Sequence, residues 1–492
     1  MKMLNDVIKQ IQDVKKNKFE SNIVNESELY EKAELNYKCC SKRQNDIGLA
    51  ERFQLRNKKK LCYWNGDWFY YTGDFWSKRE DATYKLLKQT ICMVETVEAE
   101  LIENDASREA FEKWARKLGS AATMEGVIRL ARREMARIKT FEVSDYLINF
   151  KNGTVDLRDG SLRPHNPDDD FLYVLPYDYD PLAKSEAWEQ YLSTVFIGQD
   201  AELMPAYIQR LIGATLISGR DFEKCVWLVG GGSNGKTTFC ETIYQALGPL
   251  ARTINNDLFL AKKWGGQSHP TEIARLHQAK YATCNDISLS AKLDEATFKR
   301  LVSTSTQMGR FMNRDFFEFR PTHKFWISVN NMPQVRDDSD GMWRRHIVIP
   351  FLKKFEGSKD IDLTLKARIE AQLPGVWAWM VQGAILYNSE GLLPEPSIVS
   401  EAILEWRNNE DWWVTFANEE CVIAPNKKVK LERFHAHYQY WAKQNGMPTL
   451  NLSAFGKRIT LAGFLITKSK SAPSVLGIKL KEDVEDDGND EL

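Results

Sequence analysis

Residues 225–248 read CVWLVGGGSNGKTTFCETIYQALG, and this stretch decides the fold. It opens with five apolar residues, as a buried parallel strand requires. A glycine-rich segment follows, and then a run in which Phe239, Ile243 and Leu247 recur every fourth residue. That spacing is typical of one face of a helix. The stretch therefore predicts a strand, a loop and a helix in direct succession.

The loop fits the pattern G-x-x-x-x-G-K-[ST], with Lys236 and Thr237 at its end. Glycines let the backbone N–H groups point at phosphate oxygens, and the helix N-terminus adds partial positive charge. Lys236 would reach the β- and γ-phosphates of ATP, and Thr237 would hold Mg²⁺. An ordinary glycine-rich turn is the alternative, which the strand and helix flanks disfavour. The predicted nucleotide-binding residues are Gly230, Gly231, Gly232, Ser233, Asn234, Gly235, Lys236, Thr237 and Thr238.

Composition places the chain among globular proteins with several domains. Its 492 residues are enough for three or four domains, and 43% hydrophobic with 27% charged residues is an ordinary balance. It has no apolar run long enough for a membrane span and no apolar centre of a signal peptide near its N-terminus. Eight cysteines without a C-x-x-C pair predict reduced thiols in a cytoplasm rather than zinc ligands or disulfides.

The part before the loop divides into three predicted segments. Residues 1–45 are polar and predicted to be flexible or helical, and residues 46–140 are predicted to form an α+β domain. Aromatic strands interrupted by hairpin turn signals lie in 61–76. Aromatic residues beside Lys58, Lys59 and Lys60 could stack bases, but a packed aromatic core is the favoured interpretation. Residues 79–140 are charged and predicted to be helical, and their basic residues are interpreted as a solvated face rather than a nucleic-acid site. Residues 141–220 are predicted to be a mostly helical adaptor, with a hairpin pattern over 150–160.

Three features after the loop are candidates for ATP chemistry. Asp286 follows a short apolar strand and could hold Mg²⁺, although structural turns use aspartate as often. Asn330 ends the stronger strand 324–329 and could sense the γ-phosphate, or cap the turn before Pro333. The pair Arg344 and Arg345 could form surface salt bridges or reach the nucleotide of a neighbouring subunit.

These blocks together resemble the superfamily 3 helicase core of the poxvirus and phage/plasmid primase-helicase family. That family's order is a phosphate loop G-x-x-x-N-G-K-[ST], a strand ending in a carboxylate, a lysine and arginine stretch, N-x-x-P, W-x-R-R and I-P-F. The matching parts here are Gly230 to Thr237, Asp286, Lys299 to Arg314, Asn330 to Pro333, Trp343 to Arg345, and Ile349 to Phe351. The resemblance covers about residues 46–480 and is strongest over 141–400.

The resemblance implies an AAA+-like P-loop ATPase core over 221–400, in an α/β fold. It implies a hexameric ring in the host cell cytoplasm that moves along single-stranded DNA, with a nucleotide between neighbouring subunits. The implied catalytic residues are Lys236, Asp286, Asn330, Arg345 and, as the second candidate for the arginine given in trans, Arg344. The implied metal ligands are Thr237 and Asp286. The implied DNA contacts of the core are Arg314, Arg310, Asn313 and Lys299, the first three in a channel hairpin.

Two residue choices depart from the family pattern. Asp286 stands where the family usually has glutamate, and Asn285 stands where relatives often have a second acid, so the general base is left open. The channel hairpin has arginine but no lysine.

The C-terminal segment 401–481 is predicted to be a winged-helix domain. Helical runs over 431–445 and 451–463 precede a basic hairpin over 464–481. Although the whole chain has a net charge of −1, residues 423–481 hold eleven Lys and Arg against one acid. This balance favours DNA contact, with protein docking as the alternative. The predicted contacts are Lys457, Arg458, Lys468 and Lys470, and the acidic tail 482–492 is predicted to be disordered.

The leading hypothesis is an ATP-dependent replicative DNA helicase of a phage or mobile genetic element. Its predicted partners are single-stranded and forked DNA, further copies of the chain and a primase or loader protein, and no membrane. One alternative is an origin-binding initiator that uses ATP as an assembly switch. Another is the helicase half of a primase-helicase, because no acidic pair for two-metal nucleotide polymerisation is evident before residue 141.

Overall fold

The computed structural model describes residues 26–142, 144–218, 222–261, 270–285, 287, 291–335, 337, 339–356, 362, 364–410, 412–445, 447, 449–467 and 473–482. The chain divides into two compact units, Met1–Pro181 and Leu182–Leu492. Each unit has hydrophobic clusters of its own. None of the helices in these described stretches has the length and apolar character that crossing a bilayer requires.

The first unit combines helices with two small antiparallel sheets. Its helices are α1 (Glu26–Cys40), α2 (Asp46–Asn57), α3 (Glu80–Met93), α4 (Asp105–Ala115) and α5 (Ala121–Glu134). Its strands are β1 (Leu61–Trp64), β2 (Asp67–Tyr71), β3 (Trp76–Lys78), β4 (Leu147–Phe150), β5 (Gly153–Asp156) and β6 (Leu162–Arg163). Side chains of Asn45, Asn104 and Ser120 accept backbone hydrogen bonds at the starts of α2, α4 and α5. Such caps define where a helix begins.

A buried ion cluster holds α2 against the turn that continues α3. Glu98 is fully buried, and its carboxylate accepts hydrogen bonds from Arg52 Nε at 2.8 Å and Arg56 Nη2 at 2.9 Å. Arg52 is also fully buried and donates to the backbone oxygens of Arg43, Gly48 and Lys42. One buried carboxylate therefore pairs with two guanidinium groups, and backbone oxygens accept the other hydrogen bonds of Arg52.

The range 141–220, predicted to be a mostly helical adaptor with a hairpin over 150–160, is divided between the two units. Strands β4, β5 and β6 form a three-stranded sheet inside it, and the boundary between the two units follows Pro181. The helical part of the range consists of α6 (Glu186–Val195) and α7 (Met204–Leu216), which belong to the second unit. The reason is local. Turn residues such as Asn152-Gly153 let short alternating segments pair as hairpins instead of continuing a helix.

The second unit contains a parallel five-stranded sheet in the order β13-β7-β12-β9-β8, so the α/β core is confirmed. The strands before the C-terminal part are β7 (Cys225–Val229), β8 (Ala251–Thr253), β9 (Tyr281–Asn285), β10 (Gln307–Gly309), β11 (Phe317–Phe319), β12 (Lys324–Val329) and β13 (His346–Pro350). The helices after α7 are α8 (Lys236–Leu247), α9 (Pro270–Arg275), α10 (Glu295–Val302), α11 (Asp340–Trp343), α12 (Leu365–Ala371), α13 (Leu373–Glu390) and α14 (Ser397–Glu410).

Aromatic side chains fill the space beside the central strands. Trp227 of β7 is fully buried and donates a hydrogen bond from Nε1 to Nδ1 of His346 at 2.9 Å. The His346 ring stacks on Phe298 with 4.8 Å between ring centroids. Burial lowers the pKa of His346 to about 3, so this histidine is a neutral acceptor in the folded protein.

The C-terminal part folds around a cluster that includes Phe434, Tyr438 and Phe455. Its elements are α15 (Trp412–Glu420), β14 (Cys421–Lys430), α16 (Leu431–Gln444), α17 (Leu452–Leu461) and β15 (Ser474–Leu480). The structure differs from the predicted hairpin. Strand β15 pairs along most of its length with β14, and the segment just before β15 contributes the bridge between Ile466 and Val475. Pro425 and three lysines make β14 read as a loop in the sequence, and its register shifts between Ile423 and Lys428.

Replacing Glu98 by alanine is expected to lower the free energy of unfolding by about 3–5 kcal/mol, because Arg52 would stay buried without its carboxylate. Glu95→Ala is the matched control, since Glu95 is exposed in the same turn and its loss should change stability by less than about 0.5 kcal/mol. Chemical denaturation of both variants measures the difference. Equal effects of the two substitutions would show that the ion cluster does not stabilise this unit.

Candidate functional site

The glycine-rich loop lies at the carboxyl edge of the parallel sheet. Strand β7 runs between β12 and β13 and ends at Val229, and α8 begins at Lys236. Between them, Gly232, Ser233 and Gly235 adopt positive φ angles of 98°, 46° and 93°. The carboxyl edge of an open α/β sheet is where ligands bind, and here it presents a curled loop followed by a helix N-terminus.

A close contact inside the loop explains why its first residue is glycine. A Cβ on Gly230 would lie 2.0 Å from Nδ2 of Asn234 and 2.5 Å from the backbone oxygen of Phe351. Asn234 is 3% exposed, and its Nδ2 donates to that Phe351 oxygen at 3.2 Å. The Asn234 amide thus ties the loop to the chain that follows β13, and only glycine at position 230 leaves room for it.

Lys236 is the charged centre of the site. Its side chain is 5% exposed, and its Nζ donates to the oxygen of Gly230 at 2.5 Å, to Oδ1 of Asn234 at 3.1 Å and to Oδ1 of Asn330 at 3.3 Å. A buried ammonium group needs such acceptors to offset the loss of water. The structure therefore brings together Lys236 and Asn330, both of which are predicted from the sequence for ATP chemistry. Thr237 is exposed and Thr238 is half-buried in the first turn of α8.

Helix α6 supports the loop from a second side. The Tyr191 hydroxyl donates to the backbone oxygen of Gly235 at 3.0 Å, and a Cβ on Gly235 would lie 2.8 Å from Cγ2 of Val195. Burial raises the pKa of Tyr191 well above its usual value, so the hydroxyl keeps its proton. Sequence reasoning missed Tyr191. The helical spacing before the loop could indicate a packed face but not which side chain contacts Gly235.

The predicted carboxylate lies outside the described residues. Strand β9 ends at Asn285, which pairs in register with Ser328 of β12, so the end of β9 is one strand further from β7 than Asn330. Asp286 follows this end but is not among the residues that the structure describes. A magnesium site formed by Thr237 and Asp286 therefore stays a prediction.

The arginine pair lies at the edge of the sheet opposite the loop. Strands β13 and β7 are parallel with His346 beside Cys225, so Arg344 and Arg345 precede the strand that runs toward the loop. A five-residue strand is about 16 Å long. This separation is more than an arginine side chain spans, so neither residue reaches the glycine-rich loop of the same chain.

The two arginines differ in their surroundings. Arg345 is 13% exposed and pairs through Nη2 with Glu223 at 3.1 Å, while its Nη1 donates to the oxygen of Gly341. Arg344 is exposed, and its backbone oxygen accepts a hydrogen bond from Lys224. Across the described part of the chain, no carboxylate pairs with the Arg344 guanidinium. Of the two guanidinium groups, that of Arg344 is the more accessible.

The predicted DNA contacts have different surroundings. Strands β10 and β11 pair antiparallel, and their connection carries exposed Arg310, Asn313 and Arg314, with Arg310 Cζ 4.7 Å from the centre of the Phe316 ring. Lys299 instead pairs with Asp337 and lowers the pKa of that carboxyl to about 2, so its charge is already engaged.

The C-terminal contacts are described only in part. Lys457 is exposed and Arg458 is half-buried on α17. Lys468 and Lys470 lie outside the described residues, as does most of the acidic tail.

Two family models match this chain. The family described as D5 N terminal like matches residues 49–197, and a family of unknown function, DUF5906, matches residues 228–345. The first match ends just after α6, and the second begins inside β7 and ends just before β13. Between them, the matches cover the segment that supports the loop, the loop itself and the arginine pair.

Three viral proteins are similar to this chain. "Putative helicase L207/L206" of Acanthamoeba polyphaga mimivirus is 24% identical over 77% of this chain and 43% of its own length. "Putative helicase 022R" of Frog virus 3 is 22% identical over 49% and 26%, and "Putative helicase 121R" of Invertebrate iridescent virus 3 is 21% identical over 69% and 40%. The chain thus spans less than half the length of these relatives. The predicted resemblance to the viral and phage primase-helicase family is confirmed.

A solved structure also aligns with part of the chain. The apo structure of the NrS-1 C-terminal region (305–718) is 13% identical, covering 63% of this chain and 80% of that one with a TM-score of 0.41.

Gly230→Ala is expected to destabilise the second unit by about 1–3 kcal/mol, because the new methyl group would displace the Asn234 amide and thereby Lys236. Gly231→Ala is the matched control, since a Cβ at that position has no atom within 4 Å. Thermal unfolding and amide exchange of residues 230–236 compare the two variants. A Gly230→Ala protein that matches the Gly231→Ala protein in both measurements would disprove the packing explanation.

Proposed function

We propose that this chain is the ATP-driven motor of a DNA helicase that acts in replication, with the mechanism of superfamily 3. The observation that carries the proposal is the burial of Lys236 between the loop of β7 and Asn330 at the end of β12. A lysine in this position can exchange its protein acceptors for phosphate oxygens. The names of the viral relatives support the helicase activity.

The residues around the loop fit a nucleoside triphosphate with Mg²⁺. Loop N–H groups and the start of α8 would hold the phosphates, and Lys236 would contact the β- and γ-phosphates. Mg²⁺, held by Thr237 and Asp286, would neutralise charge that develops on the phosphates. Asn330 would then be released from Lys236, and its amide could orient the attacking water. Tyr191 would keep the loop backbone in place through Gly235.

The arginine pair supports a ring of identical subunits. Arg344 and Arg345 lie a strand length from the loop of their own subunit, so an arginine that completes the site must come from a neighbour. We assign that role to Arg344, because Arg345 is paired with Glu223. A hexamer is the proposed assembly, with ATP at each interface.

Two parts of the second unit would contact DNA. The β10–β11 hairpin carries exposed Arg310 and Arg314, which suit contact with the phosphates of a single strand. The C-terminal elements follow the order helix, strand, helix, helix and strand, which supports a winged-helix domain. Exposed Lys457 lies on α17, the second of the two adjacent helices. A primase or loader that works with the motor is also proposed, since the relatives extend well beyond the matched region.

An origin-binding initiator that uses ATP as an assembly switch is the second candidate. The excess of ten positive charges over residues 423–481 favours it, because a basic domain can read duplex DNA. Footprinting on duplex DNA separates the candidates. Protection of a specific sequence without unwinding of forked DNA would favour the initiator.

Lys236→Ala is expected to lower ATP hydrolysis and fork unwinding by about 10²-fold or more, because the loop would lose the charge that contacts the phosphates. Lys366→Ala is the matched control, since Lys366 is a surface lysine of the same unit that pairs with Glu241. Steady-state hydrolysis and a strand-displacement assay measure both. Normal hydrolysis by a folded Lys236→Ala protein would contradict the proposed function.

Arg344→Ala is expected to lower hydrolysis by about 10³-fold while nucleotide binding persists, because the lost group acts on the neighbouring subunit. Mixing this variant with Lys236→Ala subunits should restore part of the activity, since some interfaces then hold both intact residues. Arg345→Ala should mainly lower stability through the loss of the Glu223 pair. The assignment of Arg344 fails if the mixture hydrolyses no more ATP than either variant by itself. It also fails if Arg345→Ala, and not Arg344→Ala, restores hydrolysis when it is mixed with Lys236→Ala.

A further inference from the structure

Helix α5 of the first unit borders a groove. The groove has a volume of about 440 Å³ and lies between α5 and Tyr84 of α3. We call it the α5 groove and define it by Tyr84, Ala122, Glu125, Gly126, Arg129 and Arg132.

The helical repeat of α5 separates a core face from the groove face. Met124, Val127 and Ala131 are buried in the core of the first unit. The groove residues recur at intervals of three and four, so they occupy a neighbouring face of the helix. Ala122 and Gly126 are small, and a Cβ on Gly126 would meet only one atom within 4 Å, Oδ2 of Asp46 at 3.7 Å. The small side chains leave the groove open.

The segment that contains α5 is strongly basic. Residues 113–139 hold eight Lys and Arg against two acids, Glu125 and Glu134. Arg129 and Arg132 are exposed, and within the part of the first unit that the structure describes neither pairs with a carboxylate. Arg132 Cζ lies 5.5 Å from the ring centre of Tyr63, so a cation–π contact positions its guanidinium group. Two exposed arginines thus face a groove that is lined by one acid, Glu125, with the Asp46 carboxylate beside Gly126.

An aromatic ring completes the groove. Tyr84 is 39% exposed, which leaves part of its ring accessible. Arginines beside an accessible ring are the combination that holds single-stranded nucleic acid, since phosphates take the charges and bases stack on the ring. A groove of 440 Å³ has room for about one nucleotide and none for a duplex.

We propose that the α5 groove is a second binding site for single-stranded nucleic acid, with Arg129 and Arg132 on phosphates and Tyr84 against a base. This inference rests on the proposed function and adds a contact outside the motor. An acidic peptide would also suit the arginines, but every nucleotide carries both a phosphate for the arginines and a flat base for Tyr84. The structure therefore favours the nucleic acid.

The test uses the full chain and a fluorescent oligothymidylate of about 20 nucleotides, with affinity measured over a salt series. Arg129→Gln and Arg132→Gln should each reduce the slope of log affinity against log salt by about 0.7, the value for one phosphate contact on a single strand. Tyr84→Ala should weaken binding by about 5- to 100-fold without changing that slope. Glu125→Gln should strengthen binding, because it removes a negative charge from the lining of the groove.

Lys32→Gln is the matched control. Lys32 is exposed on α1 and does not line the groove, and its substitution removes one positive charge, as Arg129→Gln does. The groove proposal would be overturned if Arg129→Gln and Lys32→Gln gave the same slope of log affinity against log salt. It would also be overturned if Glu125→Gln weakened binding. If those variants bind like wild type while Arg314→Ala binds more weakly, the groove fails and the proposed function stands. A wild-type chain that binds no strand would refute the proposed function itself. Poly-glutamate can be added as a competitor of the fluorescent oligothymidylate. If the groove variants change only the competition by poly-glutamate, the proposal is overturned in favour of an acidic protein partner.

Discussion

The Lys236 ammonium group is buried, and a buried positive charge must be surrounded by oxygen atoms. Its acceptors come from the start of the loop, the loop's asparagine and the end of a neighbouring strand. In the low dielectric of the interior these contacts are strong, and the loss of any one would leave the charge poorly compensated. The group therefore couples the loop conformation to the position of β12. Asn234 extends the coupling to the chain after β13 through the Phe351 oxygen.

This constraint organises the second unit around one edge of its sheet. Strands β12 and β13 flank β7 in parallel register, so the loop, Asn330 and Phe351 meet where the three strands end. The same parallel register places Arg344 and Arg345 at the other edge. A site that needs both Lys236 and one of these two arginines would therefore require two copies of the chain. The fold thus makes cooperation between subunits a geometric requirement of the proposed mechanism.

What the sequence predicts correctly is local. The glycine pattern, the apolar strand before it and Asn330 at the end of 324–329 are each set by residues close together in the chain. The pairing of Lys236 with Asn330 follows because parallel strands end at the same edge.

What the sequence misses depends on distant partners. From the sequence alone, Arg345 is the better candidate for the arginine given in trans. In the structure it pairs with Glu223, which precedes β7, whereas Arg345 follows β12. In the sequence, Tyr191 is indistinguishable from the other residues of a helical face. Its hydrogen-bond partner, Gly235, lies 44 residues later in the chain. Strand β14 contains Pro425 and lysines that indicate a loop, yet pairing with β15 more than 40 residues later makes it a strand. Charge alone suggested a solvated face on α5, and only the packing of α3 beside it forms a groove.

The central claim is that Lys236 leaves its protein acceptors to hold a triphosphate. A structure of the full chain determined with a non-hydrolysable ATP analogue, Mg²⁺ and single-stranded DNA tests this most directly. The account predicts phosphate density in the curve of residues 230–236, with Lys236 Nζ bonded to it and separated from the Gly230 oxygen and Asn330. Saturating analogue that binds elsewhere, while Lys236 keeps its contacts with Gly230, Asn234 and Asn330, would contradict the account.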